Sequence, residues 1–283
     1  MKRASGGGAM TNIRGVDPVL QGTLRSSERA FLAGSALLFA ASLAGTIAYS
    51  ASMAAMGEMA MPGDWTMSMA WMRMPGQTWP GAAMWFLAMW MIMMAAMMLP
   101  SLVPMLRRYR QAVGAMGEPR LARLTILVGL GYFQVWAVFG MAAYGLGIAV
   151  TATTMQQPDL ARPVPLAAGV IVLLAGTLQF TRWKDQHLGH CRASPEHGRM
   201  LPSDAGTALR HGLRLGLHCS LCCIGLMAIL LVLGVMDLRV MALVTAAITA
   251  ERLLPAGGQV ARAVGIAIVV GGLLLTARAA GLG

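Results

Sequence analysis

The chain has 283 residues, of which 57% are hydrophobic and 12% charged, against the ~25% charged residues of ordinary soluble domains. That balance excludes a water-solvated globular fold and leaves a chain whose main solvent is lipid. Its net charge of +11 does not make it a nucleic-acid binder, because the 22 Lys and Arg form no single basic domain with interleaved aromatics.

The predicted fold is all-α, a polytopic transmembrane helix bundle of about seven spans, with six as the alternative count. Residues 1–29 are Gly- and Ser-bearing and poor in apolar side chains, which predicts a disordered cytoplasmic segment. Residues 30–81 hold the first span, 30–50, and a periplasmic loop rich in Met (Met53, Met56, Met59, Met61, Met67, Met69, Met72, Met74) and Trp (Trp65, Trp71, Trp79). Residues 82–283 form the main membrane domain, with spans near 82–104, 124–150, 165–181, 211–234, 237–253 and 260–279. Each approaches the ~20 residues needed to cross a ~30 Å hydrocarbon layer. The last two are the least certain as full crossings, because Met236-Asp237-Leu238-Arg239 is a very short turn and Pro255 to Gly258 can break an element.

Basic residues settle the expected orientation. Arg and Lys cluster before span 1 (Lys2, Arg3, Arg14, Arg25, Arg29), after span 2 (Arg107, Arg108, Arg110, Arg120, Arg123) and after span 4 (Arg182, Lys184, Arg192, Arg199, Arg210, Arg214), whereas the alternate connections carry only Arg73, Arg162 and Arg239. The positive-inside rule then places the N-terminus in the cytoplasm of a bacterial inner membrane.

Sulfur carries the candidate chemistry. In His218-Cys219-Ser220-Leu221-Cys222-Cys223, helical spacing brings Cys219 beside Cys222 and Cys223, with Met227 one turn further. Converging thiolates suit Cu(I) or Zn(II), and a coordinated thiol gives up its proton. Cysteine is also a common small packing residue, but three in five residues beside a His point to a metal. On span 2, Met89, Met93 and Met97 form one stripe and Met91, Met94 and Met98 another. Spans 2 and 5 run in opposite directions, which sets Met94, Met97 and Met98 at the depth of the cysteines, where thioethers favour Cu(I). Methionine stripes also serve simply as core. After span 4, His187, His190 and Cys191 share a helical face and make a candidate capture site; as single residues, His187, His190, His197 and His211 also fit solvated interfacial positions. The outer Met-rich loop reads either as a copper-collecting segment or as interfacial Met and Trp. Glu251 and Asp64 are the acidic residues to inspect near membrane surfaces, because an ionisable residue within a span is a functional candidate by default; the alternative for Glu251 with Arg252 is an interfacial cap.

These motifs resemble the DUF2182 family of metal-binding integral membrane proteins, some described as copper chaperones. The resemblance spans roughly residues 82–280. It lies in Trp90-Met91 through Ala96-Met97-Met98-Leu99-Pro100, in Gln179, Lys184, Leu188, Cys191-Arg192 and Pro195, and in Gly212, Gly216, Cys219, Cys222-Cys223, Leu226-Met227, Gly234 and Met236. Where the family pattern begins a Cys-Leu-x-x-Cys element, this chain has His187. The expectation is a non-enzymatic protein handling Cu(I), or alternatively zinc, at Cys219, Cys222, Cys223, His218, Met94, Met97, Met98 and Met227, with Cys191, His187 and His190 at the mouth. Its partners would be the metal ion, the lipid bilayer and a protein in copper delivery or a membrane enzyme complex. A haem-bearing electron-transfer subunit, with His218 or His211 as axial ligand, is a rival, though no other expected span offers a second His. A structural subunit whose Met and Cys only pack is the third reading.

Overall fold

The computed structural model describes residues 18–63, 65–73, 76–113, 118–192 and 204–281. Its long helices are α1 (Pro18–Ala55), α2 (Trp79–Val113), α3 (Glu118–Gln156), α7 (Ala205–Leu233) and α9 (Gly257–Ala279). Shorter ones are α4 (Pro158–Ala161), α5 (Val164–Leu178), α6 (Arg182–Arg192) and α8 (Leu238–Leu253). The fold is all-α apart from a hairpin of β1 (Glu58–Met61) and β2 (Trp65–Ser68), paired antiparallel with Met59 opposite Met67. Of the outer-loop residues, Met74 and Asp64 lie outside the described residues, as does His197.

Among the described residues, six helical stretches are long and apolar enough to cross a membrane, and the protein is a membrane protein. Residues 237–253, expected as a seventh span, fall short. Asp237 caps α8 by accepting hydrogen bonds from the Arg239 and Val240 amides, and the helix stops at Leu253 just before Pro255. The stretch that contains α5 reaches from Asp159 to Leu178, 20 residues, whereas the sixteen of α8 rise about 24 Å, less than the ~30 Å of hydrocarbon. Two further expectations shift. Helix α1 starts at Pro18 and its apolar stretch at Ser26, not residue 30; at the start of that stretch Glu28 pairs with Arg107, and Ser27 accepts from Arg110 at 2.8 Å. The 165–181 span ends at Leu178, and Thr181 starts α6 afresh by accepting the Lys184 amide at 3.3 Å.

Helix α2 is the axis of the core. Trp90, Met93, Met94, Met97, Met98 and Leu102 are buried along it, and the Trp90 indole donates to the Trp136 carbonyl of α3 at 3.0 Å. Helices α3 and α7 pack backbone to backbone: a Cβ added to Gly216 would stand 2.7 Å from the Tyr132 carbonyl oxygen, and one on Gly131 2.6 Å from that of Leu209. Small residues are what permit such contact between helices in lipid. Leucines and isoleucines such as Leu37, Leu38, Ile126, Leu146, Leu243 and Ile266 face outward, as a hydrocarbon solvent allows.

The bundle has two unlike ends. At the basic end, Arg108 donates to the Arg192 carbonyl at 2.9 Å, Arg192 to the Leu254 and Pro255 carbonyls at 2.6 and 2.8 Å, and Tyr109 stacks on His211. At the hairpin end, the Trp65 indole donates to the Ala161 carbonyl at 3.0 Å, and Trp71 and Tyr144 both lie against Phe86. Helix α2 runs from the hairpin end to the basic end.

Candidate metal centre

The expected contact between span 2 and the cysteine helix forms. Cys219, Cys222 and Cys223 are all buried on one face of α7, and the Met98 thioether of α2 stands 4.0 Å from Cys219 Sγ. Pro100 and Pro104 lie inside α2 just beyond Met98, and the helix continues through them, since packed neighbours can satisfy the freed backbone groups. Cys191 of α6 donates to Cys222 at 3.9 Å, and Cys222 lies 3.7 Å from Cys223. Tyr132 of α3 bonds Cys219 Sγ through its hydroxyl at 2.8 Å. Met94, Met97 and Met227 are buried in the same core cluster.

At the focus of these sulfurs sits a guanidinium. Arg252 Nη2 of α8 lies 2.9 Å from Cys219 Sγ, 3.2 Å from Cys222 Sγ and 3.0 Å from Cys223 Sγ, while Nη1 donates to Ser101 Oγ of α2 at 3.1 Å. Beside it the Lys184 ammonium donates to Glu251 and to the Cys222 carbonyl, each at 2.7 Å. Both ions of this pair are almost fully buried. Arg252 Nε and Glu251 Oε1 are buried with no hydrogen-bond partner. Lys184 neutralises Glu251, so the remaining positive charge on Arg252 faces sulfur where a carboxylate would ordinarily balance it.

Among the described residues, no three His, Cys, Asp or Glu side chains stand ready around an open metal position. The thiols converge on Arg252 instead. An ion taking three sulfurs must therefore move the guanidinium aside, exchanging one cation for another among soft acceptors.

The histidines form a second tier on the same two helices. His187 Nδ1 and His218 Nδ1 are 3.3 Å apart, and the His190 ring stacks on His218 with centroids 4.6 Å apart. His190 Nδ1 lies 2.7 Å from the Gln186 carbonyl oxygen, a contact that fixes the tautomer and leaves Nε2 free. Four residues on along each helix, Cys191 meets Cys222, so a histidine rung and a cysteine rung follow in register. The start of α7 is fixed by Asp204, whose carboxylate accepts the Thr207 amide at 2.9 Å; hydrogen bonding with Thr207 holds that carboxyl below its ordinary range.

Arg252, Lys184, Tyr132 and Ser101 were not legible as parts of this centre from spacing, and Glu251 with Arg252 is no interfacial cap: both are buried. The available signal was an acid and a base adjacent near the end of an apolar segment, where a buried charge demands a partner.

A match over residues 87–275 carries the description copper chaperone. The chain belongs to the PpoB2 copper-chaperone family. The matched stretch contains every residue of the sulfur centre and leaves out α1 and the hairpin. No curated protein and no solved structure matches the chain.

Proposed function

We propose that this chaperone binds Cu(I) as cargo through Cys219, Cys222 and Cys223, with Met98 and Cys191 as the adjoining sulfurs, and passes it to or from a partner protein in the bacterial inner membrane. The observation that carries the reading is the convergence of three thiols within 3.2 Å of a single cationic nitrogen. A site that holds a guanidinium among three sulfurs already has the softness and the negative electrostatics that a monovalent soft ion needs. With two of the three cysteines as thiolates and the third a neutral thiol, the Cu(I) site carries one negative charge, and Arg252, displaced but still nearby, neutralises it. When the ion leaves, the guanidinium returns, so bare thiolates are not left in a low-dielectric interior. Neighbouring sulfurs, and the His187, His190 and His218 tier, supply ligands for stepwise exchange in which the ion is never hydrated. No substrate is transformed; the protein moves an ion.

The test is metal analysis of anaerobically purified protein beside a C219S/C222S/C223S variant. The expected result is bound copper in the wild type and its loss from the cysteine centre in the variant. Zinc in copper's place would change the cargo, and unchanged stoichiometry would leave the cysteines as packing residues. For orientation, a reporter fused after residue 195 is expected to be active only in the cytoplasm; periplasmic activity inverts the scheme.

A further inference from the structure

At the hairpin end, a cavity of about 40 Å³ lies where α1, the turn after β2 and α2 meet. Four methionines from these three elements line it: Met53 of α1, Met69 and Met72 of the turn, and Met89 of α2, with Trp85 and Phe86 beside them. Met89 is buried and the other three half-buried. The space exceeds the roughly 10–15 Å³ that one water-sized probe needs, and no thiol, imidazole or carboxylate is among the described residues lining it.

We propose that this cavity is a second Cu(I) site, built from thioethers, and that buried methionines of α2 connect it to the cysteine centre. The second site rests on copper being the cargo but not on the cysteines, whereas the connection rests on both. Thioether sulfur selects a soft monovalent ion and repels none by charge, whereas hard divalent ions require oxygen ligands. The indole of Trp85 adds a π-face suited to a nearby cation. Methionine's flexible chain lets sulfurs from three elements close on an ion without moving backbone.

From this cavity the sulfurs continue inward. Met89, Met93 and Met97 follow at four-residue steps, and Met98 comes next; all four are buried. Each four-residue step advances about 6 Å along the axis, and Met89 to Met98 spans about 14 Å. The row ends where Met98 Sδ stands 4.0 Å from Cys219 Sγ. A Cu(I) ion leaving the cavity meets a thioether at each turn until it reaches thiols, which bind it more strongly.

The experiment uses the full chain in lipid nanodiscs under anaerobic conditions, with Cu(I) buffered by a bathocuproine chelator. In the C219S/C222S/C223S background, one Cu(I) is expected to remain bound, with an affinity that changes less than about twofold between mildly acidic and neutral pH, because thioethers lose no proton on binding. Adding M53L/M69L/M72L is expected to weaken that residual binding tenfold or more; M69L alone gives a smaller loss in the same direction. These swaps conserve volume and should leave the fold intact. A cysteine variant that binds no copper, or residual binding indifferent to the leucine changes, overturns the second site. Failure of the cysteine reading shows differently, as wild-type stoichiometry in the triple Ser variant. In the otherwise wild-type chain, M93L/M97L is expected to slow arrival of copper at the cysteines at least tenfold, and an unchanged rate overturns the connection.

Discussion

The two ends of the bundle both gather sulfur, yet they solve opposite electrostatic problems. At the cysteine centre, thiols share a nearly dry space with a guanidinium, an ammonium and a carboxylate: Arg252, Lys184 and Glu251. At the hairpin end, Met53, Met69, Met72 and Met89 line a cavity that has no thiol, imidazole, carboxylate or cationic side chain among its described lining residues, Tyr144 and Gln77 being its polar ones. Thiol ligation releases protons and thioether ligation does not, so under the proposed function copper affinity at the cysteines is expected to fall as pH falls. Under that proposal one region would hold the ion tightly, and the other would take it up or let it go. The centre also lies wholly within the family match, whereas Met53, Met69 and Met72 lie before it.

The sharpest way to break this contrast is to unbalance the charged region. Lys184→Met leaves Glu251 buried without a counter-ion, and stability is expected to fall by about 3–5 kcal/mol, read as a lower melting temperature in detergent and less folded protein. Met72→Leu at the hairpin end should cost less than about 1.5 kcal/mol in the same measurement. Equal losses at both ends would erase the distinction.

A second test moves the frame of the cysteine centre and leaves its ligands intact. Gly216→Val forces a side chain against the Tyr132 carbonyl, separating α3 from α7, and is expected to cost about 1–3 kcal/mol and to weaken copper binding through displaced Tyr132 and Cys219.

Arg252→Gln removes the exchanging cation. The chain is expected to load the same amount of copper at equilibrium but to release it to a chelator several-fold more slowly, with Arg252→Lys intermediate; wild-type release kinetics in both variants would reduce Arg252 to a packing element. Tyr132→Phe deletes one buried hydrogen bond to Cys219 and is expected to cost about 0.5–1.5 kcal/mol, seen in melting. The smallest effect belongs to the half-exposed Arg107–Glu28 pair: Arg107→Ala should change stability by less than about 1 kcal/mol.

Much of this was readable along the chain. Apolar runs of membrane length specified helices, because the backbone must satisfy its own hydrogen bonds in lipid. The spacing of Cys219, Cys222 and Cys223 put them on one helical face, and opposite helix directions brought Met98 to their depth. Gly212 and Gly216 entered only as positions of the family pattern, and tertiary packing alone shows that they let α7 approach the α3 backbone. The shortness of α8 was half visible, in Asp237 and Pro255; periodicity sees the spacing of apolar residues and not whether the helix that carries them reaches across a bilayer.

The sequence by itself determined the solvent, the helices and the sulfur-bearing faces, since these follow from local composition and the 3.6-residue period. Tertiary structure alone decided that Arg252, remote in sequence, lies among the three thiols, that Lys184 neutralises Glu251, and that four methionines from three elements enclose one cavity. Each of those depends on where separate helices meet, and long-range charge compensation in a dry interior leaves no periodic trace in the chain.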